Sequence, residues 1–308
     1  YIVIINFNNK IMRIISIFFK SLLILLLMGK LTFADDARLL FEKSIPTESG
    51  KELITSLVAG GIEISTWDKN EVNVKVFGND EAEEKIVFSA EPTSTGVKVE
   101  GKQKDKNNFK NLTIRVEITV PKNYDLKLYS SGGNLTVKDI TGKIETNTSG
   151  GNIKIDNTSG NLEAYTAGGN VTISVSSGDV KVSTSGGKIS VDEFNGNVDV
   201  STAGGDIVLI GKNGRIDAST AGGSIKLDYE GKNLGIDIST LGGNITATLP
   251  GDFDADADIG TLAGKISCDF AKVQKENHVS SYIRAKFNNG GETFKCTTSA
   301  GNITVNKK

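Results

Sequence analysis

From Ser131 to Glu230 the chain alternates apolar and polar residues in short runs, and each run closes on glycine. The stretch SGGNIKIDNTSGNLEAYTAGGNVTI, from Ser149 to Ile173, shows the unit. Counted from the second glycine of each Gly-Gly pair, glycine returns every nine residues, at Gly133, Gly142, Gly151, Gly160, Gly169, Gly178, Gly187, Gly196, Gly205, Gly214 and Gly223. Two positions after each glycine stands an apolar residue, such as Leu135, Ile144, Ile153 or Leu162, and two further on another that is usually apolar, such as Val137, Ile155 or Ala164. The residues between them, among them Thr136, Glu145, Lys154 and Glu163, are mostly polar. Period two closed by Gly, Ser or Asn describes a strand and a turn. Nine residues are too few for a strand plus a helix, so two units form one coil of about eighteen residues. Self-similarity at a fixed period is the mark of a solenoid, whose coils bury their apolar faces only by stacking. The pattern predicts an all-β, parallel β-solenoid of β-helix type, with two short strands per coil and irregular capping coils at both ends.

The glycines read as corners, where a tight turn needs positive φ or close backbone approach. A second ladder is polar: Thr148, Thr166, Thr184, Thr202, Thr220 and Thr240 recur once per coil. Parity with the apolar positions turns them inward near a corner, where stacked hydroxyls satisfy either each other or corner backbone groups. Asn134, Asn152, Asn170 and Asn244 follow Gly-Gly and suit the same corners.

The repeat loosens at both ends. Residues 35–130 still alternate, in GGIEIST, EVNVKVF, GVKVEG and LTIRVEITV, but without strict period. They read as irregular opening coils and a cap, with a separate small β domain over 35–125 as the alternative. The regular solenoid runs over 131–308, interrupted by GDFDADADIG and by a polar insert at 271–291.

Composition narrows the classes. The 308 residues carry a formal charge of −2, which leaves no basic footprint for nucleic acid or anionic lipid. Glycine at 35 residues with only 4 prolines and no three-residue period excludes collagen. Residues 1–11 precede Met12, the candidate initiator, and read as upstream sequence. From Met12, a basic start, an apolar stretch and Thr32-Phe33-Ala34 predict a secretory signal cleaved after Ala34, so residues 1–34 are set apart from the fold. The run Leu22 to Met28 is too short to span a bilayer, and the mature chain is expected to have no transmembrane span. Export to the periplasm, cell surface or medium gives Cys268 and Cys296 two open readings, a disulfide or two buried thiols.

The segment GGIEISTWDKNEVNVKV, a strand ending in Val-Pro within ITVPKNYDLKL, and the Gly-Gly-Asn-Ile/Leu/Val repeats together resemble the bacterial putative adhesin family. They are also similar to the Gly-rich head domain of putative auto-transporter adhesins. The resemblance covers residues 40–305. It implies a β-solenoid at or beyond the inner membrane and supplies no catalytic motif.

Candidate chemistry is sparse. Asp252, Asp254, Asp256 and Asp258 alternate and could gather a Ca²⁺ ion. They read instead as a solvated strand face with Phe253, Ala255, Ala257 and Ile259 turned inward. The Ca²⁺-binding β-roll pattern lacks its third glycine and turn aspartate here. His278 is the only histidine, which leaves little material for a Ser-His-Asp triad or a His-rich metal site. Outward acids (Glu145, Glu163, Asp179, Asp199, Asp217, Asp237) look scattered, without the paired carboxylates of glycoside hydrolysis. No cofactor is expected. The reading is a non-enzymatic exported adhesin or scaffold that meets an unknown protein or polysaccharide through its polar sheet faces. Lys154, Glu163, Tyr165, Lys181, Asp199, Lys226 and Tyr229 are the outward positions to inspect. The alternatives are a carbohydrate-active enzyme on a β-helix scaffold and a structural component of an envelope complex, docked through 271–291.

Overall fold

The computed structural model describes residues 37–105, 108–271 and 281–308, with the backbone of Gln274–Lys275. The candidate signal segment lies outside the described residues. Arg38–Lys308 forms one unit. From Asp125 to Leu249 each coil gives one strand to a 14-stranded sheet and the next to a 13-stranded sheet. In the coil of the quoted stretch these are Leu162–Thr166 and Ile153–Ser159. Strands of successive coils pair parallel and in register, so Ile144, Leu162, Val180 and Val198 fall in one column. The predicted solenoid is the fold.

Alternation does the sorting. Ile153, Ile155, Leu162 and Ala164 are each at most 1% exposed, and the equivalent positions of other coils continue these ladders. Burying one such Val, Ile or Leu is worth about 1.5–3 kcal/mol, and only the neighbouring coils provide the cover. From Tyr229 onward the core is rich in aromatics. Tyr229, Phe253 and Phe294 meet edge to face at 6.0–6.1 Å, and Phe270 stacks on Phe287 at 4.7 Å.

The coil order departs from the sequence at both ends. Glu52–Leu57 and Gly61–Trp67 form a coil that lies between Gly96–Gln103/Ile114–Pro121 and Asp125–Ser130/Leu135–Lys138. Thr293–Ala300 and Ile303–Lys307 likewise lie between Ile236–Thr240/Ile245–Leu249 and Ala255–Ala263/Ile266–Cys268. Beyond these, antiparallel strands (Arg38–Pro46, Glu71–Gly78, Ile86–Pro92, Ser281–Phe287) and a short helix, Asp80–Lys85, finish the ends. Part of the insert at 271–291 is therefore strand: Ser281–Phe287 belongs to the 14-stranded sheet.

The corners show why glycine recurs. A β-carbon built on Gly169 would sit 1.9 Å from the carbonyl oxygen of Gly151, the corner of the preceding coil. One built on Gly168 would meet nothing within 4 Å. The first glycine of the pair is thus tolerant, while the second lies where backbones touch. Thr166 completes the corner: its hydroxyl donates to the Gly151 carbonyl at 2.9 Å and accepts from the Gly169 amide at 3.2 Å. Thr148, Thr184, Thr202, Thr220 and Thr240 repeat both bonds, so the hydroxyls serve corner backbone rather than one another. Outside the corner, Asn134 and Asn152 each accept the backbone amide eighteen residues on.

One column is strained. Asp139, Asn157, Val175 and Glu193 all have φ between 51° and 59°. Each is followed by an inward side chain, at Ile140, Thr158, Ser176 and Phe194. A β-branched residue in this region is an outlier.

Two outcomes follow. Gly169→Ala is expected to lower stability by about 3 kcal/mol, as overpacking against backbone does, while Gly168→Ala stays close to wild type; paired thermal melts check this. Val175→Asn is expected to raise stability by about 1 kcal/mol, because a left-handed conformation costs a β-branched residue most; a denaturant midpoint that does not rise would contradict it.

Candidate functional site

The outer face of the 14-stranded sheet carries two parallel columns, set by the same alternation that fills the core. Strands pair in register, so the residue before each ladder threonine stacks on its equivalent in the next coil. That column reads Tyr129, Asn147, Tyr165, Ser183, Ser201, Ser219, Ser239, Thr297, Gly260, Tyr282. Between Tyr165 and Tyr282 every side chain is small. At one strand spacing per step, the two tyrosines stand about 34 Å apart.

The small residues form the floor of an open groove of about 870 Å³. Exposed Leu241 and Leu262 flank it on the corner side, and Tyr282 lines its far end. Ser201 donates to Ser183 at 3.3 Å, while the hydroxyls of Ser219, Ser239 and Thr297 make no hydrogen bond among the described residues. The floor thus presents unpaired hydroxyls at Ser219, Ser239 and Thr297, each a donor and an acceptor, and ends on Gly260, which has no side chain.

The second column is charged: Lys127, Glu145, Glu163, Lys181, Asp199, Asp217, Asp237, Lys295, Asp258, Arg284. Three aspartates adjoin in its middle. Burial, then Asp237, then Asp199 hold the Asp217 carboxyl above its usual range. Lys295 relieves one side by pairing with Asp237 at 2.8 Å. At the opposite end the Tyr129 hydroxyl donates to Glu145, which together with burial pushes it up to about 12.

Of the positions singled out from sequence, Glu163, Tyr165, Lys181 and Asp199 share this face. Lys154 and Lys226 lie on the other sheet, separated by the strands of Thr172, Ser190 and Val208. Tyr229 is a correction: it is fully buried. Its coil lacks the extra left-handed residue, so alternation runs straight from Ile225 through Leu227 to an inward Tyr229, opposite Gly211. Its hydroxyl accepts the Gly214 amide at 3.3 Å.

Asp252, Asp254, Asp256 and Asp258 engage protein groups or solvent. Asp254 accepts the Asn289 amide at 3.0 Å and Asp258 pairs with Arg284 at 3.6 Å. Phe253, Ala255, Ala257 and Ile259 face inward. Among the described residues no three His, Cys, Asp or Glu side chains are grouped to hold a metal ion. Both cysteines are free thiols here, on opposite sheets: Cys296 is buried beside Ile238 and Ile259, and Cys268 is half-buried beside Val305. Burial raises both thiols above their ordinary range.

The serine floor escaped sequence reading, although Tyr165, Ser183, Ser201 and Ser219 keep the eighteen-residue spacing. Thr297, Gly260 and Tyr282 break it, because the coil of Thr293–Lys307 is interposed.

Two long, mainly parallel sheets closed by glycine corners define the chain as a β-solenoid. It belongs to the Toastrack DUF4097 family, whose model matches residues 54–306. No curated protein matches the chain. Solved structures similar to it include one described as a putative cell adhesion protein from Clostridium sporogenes, 13% identical, covering 88% of this chain and 100% of its own, with a TM-score of 0.26. Another is a putative adhesin from Bacteroides fragilis, 13% identical over 88% of this chain and 97% of its own, TM-score 0.39. A third is a putative adhesin from Parabacteroides distasonis, 13% identical over 89% and 98%, TM-score 0.37. No helix among the described residues is long and apolar enough to cross a membrane.

The charged column yields a pH outcome. A carboxyl raised in the folded state binds its proton more tightly folded than unfolded, so its ionisation weakens the fold as pH rises through the folded pKa. Asp217→Asn is therefore expected to be more stable than wild type at neutral pH. The gain should vanish below the unfolded aspartate value of about 3.9. Denaturant midpoints of both proteins across this range check the sign.

Proposed function

We propose that this chain is a non-enzymatic, exported binding module that holds an extended polysaccharide along the outer face of its 14-stranded sheet. The observation that carries the reading is the in-register column from Tyr165 to Tyr282, with a floor of serine, threonine and Gly260 between aromatic ends. A linear polymer lying along the solenoid axis would meet one hydroxyl per coil from Ser183 to Thr297. Tyrosine rings offer apolar faces to sugar rings, and the adjoining aspartates accept from sugar hydroxyls. An extended peptide would find no backbone edge on this face, which is where strand addition gains its affinity. Export is supported by the signal-like segment from Met12 to Ala34.

The test is retention of the purified mature chain on insoluble cellulose, chitin, xylan and peptidoglycan sacculi. At least one is expected to retain it without release of soluble sugar. Ser219→Arg, which fills the groove at its centre, is expected to weaken retention at least about tenfold, a loss of about 1.4 kcal/mol. Lys226→Glu, on the opposite sheet, is expected to leave retention unchanged. Retention that ignores Ser219→Arg, or no retention on any glycan, would overturn the reading. Release of soluble sugar would transfer the role to the aspartate column as a catalytic carboxylate pair.

A further inference from the structure

The interposed coil Thr293–Lys307 occupies a slot that is complete on both sides. In the 14-stranded sheet Thr293–Ala300 pairs parallel with Ile236–Thr240 and with Ala255–Ala263. In the 13-stranded sheet Ile303–Lys307 pairs with Ile245–Leu249 and Ile266–Cys268. The corner chemistry also continues through it. Thr298 donates to the Gly243 carbonyl, Thr261 donates to the Gly301 carbonyl, and Asn302 links Asn244 to Lys265. Phe294 and Cys296 fill the core at this level. Withdrawing these residues would leave a gap one strand wide in both sheets, lined by unpaired backbone and open core.

The connection into the slot is suited to exchange. Residues 288–292 cross from Phe287, on the outer side of Ala255–Ala263, to Thr293 on its inner side. Five residues reach about 17 Å when extended, against about 10 Å for two strand spacings. Asn288, Gly290 and Gly291 hold φ of 47°, 73° and 148°, a turn that glycine can also leave at little steric cost.

We propose that Thr293–Lys307 is an exchangeable coil: two copies of this chain trade it, each filling the other's slot to form a domain-swapped dimer. Every bond of the slot is remade in the swapped form, so chain concentration during folding sets the balance. A coil stacked at an open end would have only one face to satisfy and no comparable slot.

The test uses the full chain, unfolded and refolded at micromolar and at millimolar concentration. Wild type is expected to give monomer at the first and a dimer, stable on dilution, at the second, read by light scattering after gel filtration. Isotopically heavy and light chains refolded together at high concentration should give mixed dimers by native mass. Ser239→Cys with Thr297→Cys, in a Cys268→Ser and Cys296→Ala background, joins neighbouring strands across the slot. On oxidation it should lock the monomer within one chain and link the dimer between two. Monomer alone at both concentrations, or a dimer that the engineered pair fails to link between chains, would overturn the proposal.

Discussion

The whole stack depends on how closely the backbone of one coil approaches the next at the Gly-Gly corner. A side chain on Gly151, Gly169, Gly187, Gly205, Gly223 or Gly243 would lie within 1.8–1.9 Å of a carbonyl oxygen of the coil below. Glycine at that position lets the corner carbonyls meet a threonine hydroxyl instead, and the hydroxyl ties one coil to its neighbour and to its own turn. Strand register, apolar ladders and the straight outer columns all follow, because each coil is pinned to the last at the same point. The same constraint passes through the interposed coil, where Gly301 stands 2.1 Å from the Gly243 carbonyl by the same measure.

That regularity made most of the fold legible in the sequence. Nine-residue glycine spacing gave the corners, and period-two alternation gave Ile153, Ile155, Leu162 and Ala164 as core. Two features were not legible. The coil order at each end depends on which strand pairs fit between which neighbours, and no local pattern records that Thr293–Lys307 returns between earlier coils. The inward turn of Tyr229 depends on a residue that the coils up to Glu193 carry and the two coils from Ile207 lack, so it shows only against the left-handed column of Asp139, Asn157, Val175 and Glu193. The groove suffered from both effects. Its first half, Ser183 to Ser219, was present at fixed spacing, while its second half was scattered among residues 239, 260, 282 and 297.

Glycine and threonine thus serve the architecture, and the chemistry open to a partner lies on the outer faces. On the 14-stranded sheet, strict register converts a repeat in sequence into a row of hydroxyls in space, with charge alongside and aromatic rings at the ends. Such a surface suits many modest contacts made in series, in which affinity grows with the length of polymer engaged. The aspartates beside it are held close by the same register, and their mutual repulsion is a cost of keeping that face polar and accessible.

The central claim, that a polymer lies along the solenoid axis and touches both ends of the serine floor at once, is tested most directly by hydroxyl-radical footprinting of the full chain with and without a retained polysaccharide. Tyr165 and Tyr282 are expected to be protected together, with Leu241 and Leu262 beside them, while exposed Leu234, outside the groove, stays equally reactive. Protection of Leu234 with Tyr165 and Tyr282 unchanged, or protection of one tyrosine alone, would contradict it.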